Sequence, residues 1–124
     1  MRSAKVYVAG PMTGHEHHNF PKFDAEANRL TEAGYIVLNP ADLDRVHEGW
    51  VDYPPEDMDK EFFIGSPAMK NIILRDICLL MSMDPAQGDF IYLMEGWKNS
   101  IGATAEFHLA MWLGLGVIYE NTRD

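Results

Sequence analysis

Two carboxylates stand out by the company they keep. In AMKNIILRDICLLMSM, the apolar residues Met69, Ile72, Ile73, Ile77 and Leu80 recur at helical spacing, and Asp76 falls within their stripe. Asp76 is three or four residues from Ile72, Ile73, Leu79 and Leu80. Arg75, one residue earlier, is turned away by about 100°. An unpaired carboxylate on an apolar face is costly to bury, so it is either satisfied by a partner or kept for function. Desolvation raises its pKa, which suits a general acid or a base working near neutral pH. The plainer alternative is a structural Asp paired with Arg75, and the residues alone leave both readings open.

The second carboxylate is Glu106 in KNSIGATAEFHLA. Ser100 before Ile-Gly-Ala is a plausible helix N-cap, and Gly102 lets a ligand approach the first turn closely. Free N–H groups and the helix dipole at such a start favour an anion. Glu106 follows Ser100 by six residues, and Ala103, Glu106 and Ala110 share one helical face. Small neighbours leave a hollow around the carboxylate, as a pocket requires. A plain capped helix with a solvated Glu is the blander alternative.

Other candidates carry weaker signals. The loop Gly10-Pro11-Met12-Thr13-Gly14 lacks the Lys-Ser/Thr of a P-loop and the three-glycine dinucleotide fingerprint. Readings as a P-loop ATPase or a Rossmann dehydrogenase therefore lose their main support. Its glycines still let backbone N–H groups face a ligand. Tyr7, on the strand before it, either points its hydroxyl into the same site or is simply core. His15, His17 and His18 cluster in a loop, with no companion Cys and no H-E-x-x-H spacing, so a polar loop is favoured over a metal site. No cofactor and no metal are expected. Met81, Met83, Met94, Met111 and Trp112 read as core or interface filler.

These residues need elements to position them. Lys5 to Gly10 (KVYVAG) reads as a central strand buried on both faces. Phe20 to Ala33 reads as a helix, with Pro21 in its first turn and Gly34 past its end. Tyr35 to Leu38 is a second strand ended by Asn39-Pro40. Ala41 to Pro67, carrying Trp50 and Tyr53, has little period and reads as a lid or binding loop, with a short helix near Glu56 to Phe63. Ala68 to Met83 is a helix, Asp89 to Met94 a third strand, Ser100 to Leu113 a helix and Val117 to Tyr119 a last short strand.

Alternation with short connections argues for a parallel sheet of four or five strands, order 2-1-3-4, with helices on both faces. Ligands of such sheets sit at the carboxyl ends of the strands. The segments there are Gly10 to Asn19, Asn39 to Leu43, and Glu95 to Ser100.

Composition bounds the partners. The 124 residues fit one domain, and 47% hydrophobic with 23% charged residues is a globular balance. Ten Lys and Arg against 19 Asp and Glu give a net charge of −9. So acidic a chain is poorly suited to nucleic acid or to an anionic membrane. Cys78 is the single cysteine, which excludes an internal disulfide framework. No apolar run approaches the ~20 residues of a membrane span. The first residues meet Gly10-Pro11 too soon for a signal peptide. The expectation is a soluble, cytoplasmic, single-domain protein.

Four segments together resemble the nucleoside 2-deoxyribosyltransferase-like superfamily, and are similar to a small phage and bacterial subgroup of it. They are VYVAGPMTG, NFPKFDAEANRLTEAGYIVLNPADL, RDICLLMSMDPAQGDFIYLMEGW and NSIGATAEFHLAMWLGLGV. The resemblance covers most of the chain and is weakest from Asp44 to Pro67. It implies a flavodoxin-like sheet, a homodimer or larger even homo-oligomer, and a small-molecule nucleotide substrate. The implied reaction is cleavage of the N-glycosidic bond of a 2-deoxynucleoside or its 5-monophosphate, by hydrolysis or by transfer to another base.

By position, Glu106 matches the family nucleophile, Asp76 the residue that exchanges a proton with the base, and Tyr7 the tyrosine beside the nucleophile. Nucleoside transferases carry an Asp six residues before the nucleophile. The monophosphate N-glycosidases carry a Ser there, as this chain does at Ser100. An Asp repels phosphate and a Ser on a helix N-terminus accommodates it, so the monophosphate is favoured. The implied substrate-binding set is Gly10, Pro11, Met12, Gly14, Asn19, Asn39, Trp97, Ser100 and Gly102. The Ser-to-Glu spacing also resembles the NAD-cleaving TIR group. A non-catalytic nucleotide-binding or sensing module is the third expectation.

Overall fold

The computed structural model describes residues 2–120. The strands β1 (Lys5–Ala9), β2 (Ile36–Leu38), β3 (Phe90–Leu93) and β4 (Gly116–Tyr119) form one parallel sheet of order β2-β1-β3-β4. The helices are α1 (Phe20–Glu32), α2 (Pro40–Glu48), α3 (Pro67–Met81) and α4 (Ile101–Trp112). This is the flavodoxin-like α/β arrangement with the strand order expected from the alternation.

The two-residue period of a strand divides the core. Val6 and Val8 of β1 pack with Phe90 and Tyr92 of β3 on one face, where Phe20, Phe23 and Leu30 of α1 and Ala41 of α2 cover them. Tyr7 and Ala9 point the other way with Ile91 and Leu93, under Leu80 of α3 and Ala103 and Ala110 of α4. The central strands β1 and β3 are buried on both sides, as their continuous apolar runs require, while the edge strands β2 and β4 are partly exposed.

Two expectations are corrected. The stretch after Leu38 is not irregular from its start, because α2 occupies 40–48. Asn39 caps it through Oδ1, which accepts from the Ala41 N–H at 3.1 Å, and Pro40 fills its first turn. Gly49, with φ 76°, closes it by donating its N–H to the Arg45 carbonyl at 2.8 Å. Nearer the expected short helix lies one 3-10 turn over Met58–Lys60. The second correction concerns α3. Only Asp76 and Leu80 of that helix are fully buried, and Ile73 and Ile77 of the expected core stripe face outward.

The amino-terminal end of the sheet is pinned by Asp89, buried beside β3. Its carboxylate accepts two hydrogen bonds from Arg2, at 2.8 and 2.7 Å, and one each from the Lys5 and Asp84 N–H groups at 2.8 and 2.7 Å. Arg2 and those backbone donors hold the Asp89 pKa well below the usual carboxylate range.

Candidate functional site

The strand period places Tyr7 toward α3 and α4, and those helices bring two carboxylates to it. In α4, Ala103 and Ala110 rest on the sheet, and Glu106 lies on the same face between them. The small alanines let the helix approach and leave room for the carboxyl. Tyr7 donates its hydroxyl hydrogen to Glu106 Oε2 at 2.7 Å. In α3, Asp76 shares its buried face with Leu80, one turn away.

Asp76 is paired as well as buried. Arg75 donates to Asp76 Oδ1 from Nε at 2.9 Å and from Nη2 at 2.7 Å. The same Nη2 lies 2.8 Å from Asp44 Oδ1 on α2. Five side chains from four elements thus form one cluster: Tyr7, Asp44, Arg75, Asp76 and Glu106. The two readings of Asp76 turn out not to exclude each other, since the Arg75 pairing and the proximity to Tyr7 and Glu106 coexist.

Three carboxyls around one guanidinium cannot all ionise without cost. Burial raises Asp76, against Arg75 and the Tyr7 hydroxyl, which favour its charged form. Burial raises Asp44 to about 6, again against Arg75. Burial and the charge of Asp76 push Glu106 up to about 8, with the Tyr7 hydrogen bond and Arg75 opposing. Burial also keeps the Tyr7 hydroxyl protonated far into the alkaline range.

The candidate anion site lies at the start of α4. Ser100 Oγ accepts from the Ala103 N–H at 3.1 Å, confirming the cap and leaving the Ile101 and Gly102 N–H groups without an acceptor inside the helix. A side chain built on Gly102 would meet nothing closer than Ser100 Oγ at 4.0 Å, so that turn is open. The first loop adjoins the segment that leads into it, since a Cβ on Gly96 would lie 3.2 Å from Pro11 Cγ. Asn19 holds this loop by donating from Nδ2 to the Pro11 carbonyl at 2.8 Å. Gly14, with φ 87°, sits in open space, and Met12 packs partly into the core. Gly10 has a packing reason of its own, because a Cβ there would lie 2.9 Å from Met94 Cβ.

Two expected binding residues have their side chains engaged elsewhere. Asn39 is buried, caps α2 and donates from Nδ2 to Asp24 Oδ1 at 3.2 Å. Trp97 packs on Phe107 and Tyr119, with ring centroids 4.8 and 6.1 Å apart, in the α4 layer.

The histidine loop has a backbone its sequence does not announce. His17, His18 and Asn19 have φ of 51°, 55° and 63°, three successive non-glycine residues in the left-handed region. Such residues cost roughly 1–2 kcal/mol each and concentrate at functional sites. The turn contacts the connection after α2: His17 stacks on Tyr53 with centroids 4.0 Å apart, and His18 Nε2 lies 3.8 Å from Asp59 Oδ1. Trp50 docks on Phe62 and Phe20. Among the described residues, no group of three or more His, Cys, Asp or Glu side chains converges as a metal site. No helix among them is long and apolar enough to cross a membrane.

Asp44 and Arg75 are the parts of the cluster that periodicity does not reveal. Asp44 falls in the stretch of weakest pattern, and Arg75 reads as turned from the stripe. The available signal was the helix start at Asn39-Pro40, which would have put Asp44 on a helix at the sheet's carboxyl edge.

Fold and site together define a flavodoxin-like α/β protein with a three-carboxylate cluster, Asp44 and Asp76 buried and Glu106 half-buried, set against the first strand. The chain belongs to the family described as a domain of unknown function (DUF4406), which matches residues 4–61 and 73–119. Every member of the cluster falls within those matched stretches. No curated protein matches the chain at a significant level, and no solved structure does either.

Proposed function

We propose that this chain cleaves the N-glycosidic bond of a 2-deoxynucleoside 5-monophosphate, as the sequence resemblance to the nucleoside 2-deoxyribosyltransferase-like superfamily implies. The observation that carries the reading is the 2.7 Å hydrogen bond from Tyr7 to Glu106, with Asp76 in the same cluster. A Glu oriented by a hydroxyl, beside a second carboxyl able to exchange a proton, is the equipment of double-displacement glycoside chemistry. A Glu106 oxygen attacks C1 of the sugar while the C1–nitrogen bond breaks. The bonding pair leaves with the base, whose nitrogen takes a proton from Asp76. Water, or the nitrogen of another base, then attacks C1, gives up a proton to the Asp76 carboxylate, and breaks the C1–Glu106 bond, which restores both carboxyls.

Ser100 and the open first turn of α4 are the groups that would take the 5-phosphate. Binding energy spent there positions the sugar over Glu106. The protein works as a homodimer or larger even assembly in this reading. Supporting that, α3 exposes Ile73, Leu74, Ile77 and Met81, and Trp112 at the end of α4 is 89% exposed.

The deciding experiment incubates the protein with separate nucleosides, dNMPs, NMPs and NAD and measures free base. Release from a dNMP, abolished by Glu106→Ala with binding retained, is expected. Nicotinamide release from NAD alone would replace this reading with an NAD glycohydrolase. Binding without turnover, unaltered by Glu106→Gln, would replace it with a sensing module.

A further inference from the structure

Asp44 takes no part in the reaction just described, yet it is only 5% exposed and shares a guanidinium nitrogen with Asp76. Arg75 Nη2 stands 2.7 Å from Asp76 Oδ1 and 2.8 Å from Asp44 Oδ1. The arrangement is not a saturated ion pair. Among the described residues, Asp44 Oδ1 has no well-aligned hydrogen bond and the buried Arg75 Nη1 has no acceptor. Burying a guanidinium with an idle N–H is expensive, so a purely structural pair would be expected to use it. Asp44 and Arg75 also come from α2 and α3, helices that cover opposite faces of the sheet. Their contact therefore ties the two layers together beside the cluster.

We propose that Asp44 is a positioning residue: by sharing the Arg75 guanidinium, it keeps Asp76 able to hold and deliver a proton. The inference rests on the reading of Asp76 as the group that serves the base. An Arg devoted wholly to Asp76 would lock that carboxyl in its ionised form, and an ionised carboxyl has no proton to give. Sharing the guanidinium relaxes the lock. It also keeps Arg75 beside Asp76 to stabilise the carboxylate that forms once the proton has left. No group beyond the cluster is needed: the proton passes from Asp76 to the base nitrogen, and Arg75 compensates the charge left behind.

Asp44 meets Arg75 and Asp76 from α3 and Glu48 on its own helix. Asp76 meets Arg75 and the Tyr7 hydroxyl. Glu106 from α4 feels Asp76, Arg75 and Asp44 in turn. Removing the Asp44 carboxylate lowers Asp76 by freeing Arg75 for it. Glu106 moves in the same direction, because Asp44 is among the charges that raise it.

The test follows side-chain carboxyl carbons by NMR across pH in the whole protein, wild type, Asp44→Asn and Asp44→Glu, without substrate. The Asp76 midpoint should fall by about one pH unit in Asp44→Asn and return toward wild type in Asp44→Glu. An unmoved Asp76 midpoint in folded Asp44→Asn overturns the proposal. The wild-type spectra alone also decide it, should the Asn variant not fold. Asp44 titrates near 6, and the Asp76 resonance should show a second inflection at the Asp44 midpoint. A single-step Asp76 curve overturns the proposal. Where a dNMP is cleaved, Asp44→Asn should shift the alkaline limb of kcat downward by the same amount with KM nearly unchanged. Failure of the glycosidase reading shows separately, as absent base release from the wild type, and leaves the NMR outcome readable.

Discussion

The Tyr7 hydroxyl reaches Glu106 Oε2 at 2.7 Å across 99 residues of chain. The bond opposes the influences that raise Glu106, chiefly its burial and the charge of Asp76. Tyr7 therefore both aims the carboxylate and favours its ionised form. It does so without risk of losing its own proton, because burial keeps the phenol neutral.

Tyr7→Phe should leave the core packed, since only a hydroxyl is removed, and should cost roughly 1 kcal/mol of stability. The loss at Glu106 is larger in kind, because its pKa rises further when the donor is gone. With base release as the assay, the acid limb of kcat/KM should move to higher pH, and the rate at pH 7 should drop about tenfold or more. A rate profile that overlays the wild type would show that Tyr7 has no hold on Glu106.

Stability should depend on pH through the same cluster. Burial raises Glu106 to about 8 and Asp44 to about 6. Unfolded carboxyls titrate near ~4. Between those values the folded protein binds protons the unfolded chain has released, so stability falls as pH rises from about 4.5 to about 8. Asp89 acts in the opposite sense. Its depressed pKa gives stabilisation that is full above the unfolded value and is lost as pH falls below about 4. Maximum stability is expected at mildly acidic pH. Glu106→Gln should flatten the alkaline decline and gain on the order of 1–2 kcal/mol at pH 8. Urea unfolding at pH 5, 6.5 and 8 measures this, and a wild type that grows more stable from pH 5 to 8 would contradict it.

Assembly is open to a single surface substitution. Leu74 is 63% exposed in the middle of the bare α3 face, so Leu74→Glu should change monomer stability by less than about 0.5 kcal/mol. Placed inside an apolar subunit contact, the same charge would be desolvated without a partner. Light scattering at micromolar concentration should give a multimer for the wild type and a monomer for Leu74→Glu. A monomeric wild type would contradict the assembly.

What the sequence disclosed follows from where periodicity operates. A two-residue period put Tyr7 on one face of β1, and helical spacing put Ala103, Glu106 and Ala110 on one face of α4. These patterns are local, so they can be read from a single chain. The Asp44–Arg75 contact is not local, because it joins helices from opposite layers, and no period marks it. α2 was hidden for a different reason. Asn39-Pro40 serves equally as a strand terminator and as an N-cap with proline in the first turn, and only the second use makes a helix. The left-handed run at His17, His18 and Asn19 carries no glycine to mark it, and its contacts with Tyr53 and Asp59 are distant in sequence. Asn39 and Trp97 also have structural roles that no period marks. Their positions at strand ends suggest binding, while their side chains serve a helix cap and an aromatic cluster.

Ser100 offers a substitution that separates charge from fold. Its Oγ caps α4 by accepting from the Ala103 N–H at 3.1 Å. Asp caps a helix as well as Ser does, and its charge suits the positive end of the helix dipole. Ser100→Asp should therefore keep α4 intact, with stability within about 0.5 kcal/mol of wild type or slightly above it. A carboxylate at that place would repel a dianionic 5-phosphate, while a neutral nucleoside 5-hydroxyl could donate to it. The variant should raise KM for a dNMP by roughly ten- to a hundredfold, equivalent to about 1.4–2.8 kcal/mol, and leave nucleoside cleavage unchanged or improved. Added salt should recover part of the dNMP loss, because screening weakens repulsion between partly exposed charges. Equal losses for nucleotide and nucleoside would place the phosphate away from the start of α4. A dNMP affinity unaffected by Ser100→Asp would remove Ser100 from the substrate site altogether.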